Sequence, residues 1–163
     1  MKNELTLNAL MSSMAVEMAE SIPEDQFHLL PGGGGNSPNW IMGHLCLGNG
    51  FGLQLLGQDP EILKLTGEAY GPGSTPTEDQ TKLMSKADLL SHFESSRSDL
   101  IEAISNADPS TLAQPQPTSI LKEELPTIGD FIGHLLTTHL ALHTGQLSAW
   151  RRSRGLDSVM QFA

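Results

Sequence analysis

The stretch TIGDFIGHLLTTHLALHTGQLSAWRRSRG, residues 127 to 155, constrains the fold more than any other part of the chain. Its stripe runs through Ile128, Ile132, Leu135, His139, Leu142 or His143, Gln146 and Trp150, the spacing of one face of an α-helix. Thr127 stands where an N-cap belongs, and Asp130 falls in the first turn. Arg151, Arg152 and Arg154 suit the negative end of the helix dipole, and Gly155 suits the αL position beyond it.

Three further segments share this period, and breakers separate them. From about Glu4 to Glu20, Leu7, Leu10, Met11, Met14 and Met18 recur at threes and fours, with the methionines as core filler. PGGGGNS then leads to a second helix, with Ser37 as N-cap and Pro38 in the first turn, reaching about Leu56, where Gly57 can cap it. The third runs from Ser85, which with Asp88 resembles a capping box, to about Asn106, burying Leu89, Phe93, Leu100, Ile101 and Ile104. Between the second and third, residues 57 to 84 hold glycines 57, 67, 71 and 73 and prolines 60, 72 and 76, which predicts a long irregular crossover. Four long amphipathic helices with such connections predict an all-α bundle, here one domain spanning residues 1 to 163.

Composition narrows the function. Nine Lys plus Arg against 19 Asp plus Glu give a net charge of −10, which repels phosphate backbones and argues against nucleic acid as a partner. No apolar stretch approaches the roughly 18 residues of a membrane span, and the first twenty residues lack a signal-peptide core, so the expectation is a soluble cytoplasmic protein without a membrane partner. Cys46 is the only cysteine; it excludes an intrachain disulfide and a thiolate zinc finger, so any metal must rest on histidine or carboxylate.

Histidines interrupt two core-facing stripes. His139 and His143 stand at i and i+4, about 6 Å apart at Cβ, from which two imidazoles can reach one ion. His44 lies in the second helix's stripe, between Trp40 and Leu47. Burying three imidazoles is costly unless each finds a partner, and a shared divalent cation is one solution. The alternative is a core in which each histidine simply donates to a backbone carbonyl. His134, five residues before His139, falls roughly 140° from that face on an ideal α-helix, as a surface or secondary-cluster residue; His92 lies off the buried stripe of the third helix, and His28 lies in the first linker. Cys46, two residues after His44, should point away from any metal, and Gln146 either orients a ligand or bonds a neighbouring helix. PGGGGNS lacks the ending of a P-loop and reads as a flexible linker, with backbone N–H groups that could meet an anion.

Two segments, NSPNWIMGHL (residues 36 to 45) and HLALHTGQLSAWRRSRG (residues 139 to 155), together resemble the DinB-like (DinB/YfiT-like) superfamily of metal-binding four-helix bundles. The resemblance implies an up-down-down-up bundle with a long crossover between helices two and three, and a metal triad on His44, His139 and His143. It also implies a homodimer and a thiol-dependent transferase or isomerase, with a small-molecule thiol or electrophile as partner. Many relatives carry Glu after the first histidine of the H-x-x-x-H pair and a basic residue before the Gly-Gln, where this chain has Leu140 and Thr144. The resemblance therefore carries the ligands across but not the substrate contacts. The expected cofactor is one divalent ion, zinc or nickel, lowering the pKa of a thiol or water for attack on an electrophile. The alternative is a non-catalytic binding or sensing domain in which the metal holds helices two and four together.

Overall fold

A computed structural model describes residues 1–159. The fold is all-α: α1 (Lys2–Glu20), α2 (Pro38–Leu55), α3 (Ile62–Tyr70), α4 (Lys86–Asn106), α5 (Pro109–Leu112), α6 (Ile128–His134) and α7 (Leu140–Ser153). A π-helical segment, Leu135–His139, joins α6 to α7 in one unbroken C-terminal helix. Among the described residues, β pairing is confined to a single bridge between Pro115 and Thr127. α2 packs against α3, α4 and α7, and α1 packs against α7 and the π segment.

The caps stand where the sequence places them. Ser37 Oγ accepts the Trp40 N–H at the start of α2, with Pro38 in the first turn. Ser85 does the same for Asp88 at α4, and Thr127 with Asp130 closes a reciprocal capping box at α6. Gly57 and Gly155 follow their helices at φ +83° and +73°, a conformation glycine adopts without a Cβ penalty.

Three expectations are corrected. The 57–84 crossover is not irregular throughout: Ile62, Thr66 and Tyr70, four apart and buried, give α3 a core face, and the glycines and prolines bracket this helix. The buried face of α1 is Asn8, Ser12, Ala15, Met18 and Ala19, whereas Leu7 and Leu10 are exposed; small residues let α1 lie close to the C-terminal helix. Arg151 stands in the last turn, where the sequence places it, and is also a buried tie, donating to Met18 O (3.1 Å), Ser21 Oγ and Asp157 O (2.7 Å). The fourth helix changes register at the π segment.

That register change is supported from two other helices. The Leu140 N–H bonds Thr137 O rather than Leu136 O. Buried Asn8 donates its Nδ2 to Leu136 O (3.1 Å) and accepts Arg97 Nε (2.7 Å) from α4. Thr137 Oγ1 donates to Gly133 O (2.6 Å). Carbonyls that an α-helix would bond through its own backbone are thus met by side chains. The segment also separates two apolar clusters: Ile128, Ile132 and Leu136 pack with Leu53, Leu100 and Ile104, whereas Leu140, Leu147 and Trp150 pack with Ile41, Leu45 and Phe93.

Candidate metal centre

Each predicted histidine is placed by a specific local device. His44 lies mid-α2, its ring stacked on Trp40 at 4.6 Å and 11°. Its Nδ1 is 2.7 Å from the backbone O of Tyr70 at the end of α3. A carbonyl oxygen can only accept, so this nitrogen carries the proton and a neutral ring keeps a bare Nε2. Gly43 makes that approach possible, because a Cβ there would overlap the Tyr70 ring. Tyr70 is held in turn: its hydroxyl donates to Asn39 Oδ1 (3.0 Å) and accepts the Met84 N–H (2.9 Å).

His143 is set the same way from the other side. Its Nδ1 donates to Gln146 Oε1 at 3.1 Å, and that oxygen also accepts Asn36 Nδ2 at 3.2 Å. His139, the last residue of the π segment, lies with its Nε2 3.1 Å from His44 Nε2. One ring nitrogen from each of His44, His139 and His143 falls within 4.8 Å of the others.

The donor chemistry fits a cation. Two nitrogens on one tetrahedral ion, each about 2.1 Å from it, stand roughly 3.4 Å apart, close to the His44–His139 separation. Burial pushes His139 down to about 3, helped by the charges of His143, His44 and His134. Burial, then the charge of His44, pushes His143 down to about 4 against the opposing bond from Gln146. Burial lowers His44 too, opposed by Tyr70. All three rings are therefore neutral at pH 7, the state in which imidazole is a ligand. Together they could hold a metal ion.

A model of the DinB superfamily matches residues 10–147. The chain belongs to the DinB superfamily. No curated protein and no solved structure gives a significant match.

The DinB match includes all three histidines and Gln146. Leu140 and Thr144 are buried, Thr144 bonding Leu140 O (2.8 Å), so those two positions serve the core in this chain. The other sequence candidates separate as follows. His28 bonds Gln80 at the surface, and His92 takes no part in the cluster. Cys46 points to α4, bonding Leu89 O at 3.5 Å, and burial pushes its thiol up to about 12, which makes it inert. PGGGGNS contributes through Asn36, whose bond to Gln146 ties the linker to the side chain that orients His143.

His134 lies nearer than its spacing predicts. Its ring centroid is 5.7 Å from that of His139, because the intervening π turn carries extra backbone per turn and brings residues five apart toward one face. Its Nδ1 lies 2.7 Å from Thr138 Oγ1. His134, His44, His139 and Trp40 are among the residues that line a cleft of about 360 Å³, and His143 is not.

Proposed function

We propose that this DinB-superfamily chain is a metal-dependent enzyme that activates a small thiol, or water, for transfer to an electrophilic substrate. One observation carries the reading: three neutral imidazoles converge from two helices, and the side formed by His44 and His139 opens onto a cleft. Three protein ligands with an open position characterise catalytic zinc sites, whereas structural ones are closed by four. Imidazole donors without thiolate or carboxylate support zinc or nickel.

His44, His139 and His143 would hold the ion. When bound, it supplies Lewis acidity that lowers the pKa of a thiol or water beside it. The chain's own contribution is positional. Tyr70 O and Gln146 Oε1 hold the Nδ1 protons of His44 and His143, so each Nε2 is turned inward before any ligand arrives. The Trp40 ring covers one face of His44 and keeps water from it.

Elemental analysis of tag-free protein tests the reading. About one transition metal per chain is expected in the wild type, lost in His139→Ala and His143→Ala with helicity unchanged, together with consumption of a thiol in the presence of an electrophile. Absence of metal even after reconstitution with zinc, nickel, manganese and iron sinks it. Collapse of the fold on chelation, without binding of thiol or anion at the metal, favours instead an ion that clamps α2 to the C-terminal helix.

A further inference from the structure

The cleft beside the histidines has a chemical character of its own. At about 360 Å³ it lies near the small end of the range for organic-ligand sites, roughly 300–1,000 Å³. Three rings, Trp40, Phe51 and Phe131, form much of its wall, with Leu47, Pro72 and Ile120 between them. Among the described residues no Asp, Glu, Lys or Arg lines it, and the titratable groups of its lining are His44, His134 and His139, their rings next to one another. A larger concavity of about 470 Å³ lies elsewhere, lined by Asp99, Glu102 and Asn106 and touching none of the histidines.

Such walls discriminate. An ionised group leaving water for this cleft finds no countercharge in the lining, and an anion also meets a chain of net charge −10. Apolar surface gains by entering, and flat rings gain further against aromatic walls. We infer that the cleft binds an uncharged, largely apolar molecule of one or two rings, its flat part among Trp40, Phe51 and Phe131 and its polar end toward His44 and His139. The direction of the polar end rests on the metal reading above; the choice of an uncharged apolar ligand rests on the walls alone.

Ile120 is the wall that can be changed without touching the core. It is 45% exposed and stands on the connection before α6. Buried Gln116 pins that connection: its Nε2 donates to Ile120 O (2.8 Å), its Oε1 accepts the Thr118 N–H (3.0 Å), and its own N–H donates to Pro126 O (3.0 Å). All of these bonds spare the Ile120 side chain.

Calorimetric titration of the full chain, with its metal content determined beforehand, tests the inference using benzyl alcohol, 4-ethylbenzyl alcohol, 2-naphthalenemethanol and benzenesulfonate as probes. Affinity should rise by about three- to fourfold per added methylene. Benzenesulfonate should bind at least tenfold more weakly than benzyl alcohol. Ile120→Asp should weaken 2-naphthalenemethanol at least tenfold, and Ile120→Val should retain it, with helicity and metal content unchanged in both. A flat alcohol series, a sulfonate that binds as well as the alcohol, or an Ile120→Asp protein with unaltered affinity overturns the inference. So does a protein that binds no probe because a second copy fills the cleft, revealed by a dimer that Ile120→Asp dissociates. Alcohol binding by a chain that takes up no metal leaves this inference standing and sinks the metal reading; one metal per chain without alcohol binding does the reverse.

Discussion

Gln146 Oε1 lies 3.1 Å from His143 Nδ1, three residues back on the same helix, and the same oxygen accepts Asn36 Nδ2 from the linker before α2. One ligand of the candidate centre is therefore oriented by a residue that is itself oriented from another part of the chain. Gln146→Leu should lower zinc affinity by about 10- to 100-fold with the fold intact, as loss of such outer partners typically does. Asn36→Ala should move it the same way by less. Competition against a chromophoric chelator measures both; wild-type affinity in Gln146→Leu would remove the bond from the account.

Two glycines of α2 should respond in opposite ways. A Cβ at Gly48 would stand 3.2 Å from His139 Cε1, so Gly48→Ala should displace that ring and weaken zinc binding. The metal-free protein should lose no stability and can gain up to about 1 kcal/mol from helix propensity. Gly43→Ala meets the Tyr70 ring, which Asn39 and Met84 fix in place, and should cost about 1–3 kcal/mol in urea unfolding. Equal behaviour of the two variants in both assays would contradict the packing described.

The metal-free protein should lose stability on acidification well before its carboxylates titrate. His139 and His143 are held far below the ordinary histidine value in the folded state, at about 3 and about 4. As pH falls through about 6.5, the unfolded chain takes up protons that the folded chain refuses, so the equilibrium moves toward unfolding. Stability should be flat above about pH 7 and fall between about pH 6.5 and 4, with His139 alone contributing roughly 1–2 kcal/mol at pH 5. Urea midpoints of chelator-treated protein at pH 7.5 and 5.0 read this directly. Identical midpoints would show that the three rings are not buried as neutral groups.

Asn8 is the polar joint between three helices, so its loss should exceed that of an ordinary core residue of its size. Asn8→Ala leaves Leu136 O and the Arg97 guanidinium without their partner and should cost about 2–4 kcal/mol. Because Leu136 lies in the π segment that ends at His139, zinc affinity should fall as well. A variant destabilised with full affinity would confine Asn8 to the core.

Much of this was legible in the sequence. His44, His139 and His143 could be picked out because each replaces an apolar residue in a helical stripe, and the caps at Ser37, Ser85 and Thr127 are local chemistry that a few residues decide. What escaped depends on contacts without a side-chain signature. The acceptor for His44 is the backbone oxygen of Tyr70, and no residue type advertises a carbonyl. α3 hid among breakers because three residues, Ile62, Thr66 and Tyr70, form its whole buried face. The sequence puts His134 outside the triad, where it stands, but an ideal α-helical angle does not foresee the π turn that brings it beside His139. Ile120 reaches the cleft through the bonds of Gln116, a long-range arrangement that a polar connection does not announce.

The π segment gives one rod two rotational phases. Upstream, Phe131 and His134 face the cleft; downstream, His143 faces the other ligands and Leu147 the core. Removing a single residue between Gly133 and His139 would return the rod to one phase and swing its upstream half by about 100° relative to the histidine pair, taking Phe131 and His134 away from the α2 rings they face. Retaining that extra residue lets one helix turn Phe131 toward a guest and His143 toward an ion, each against a different stretch of its neighbours.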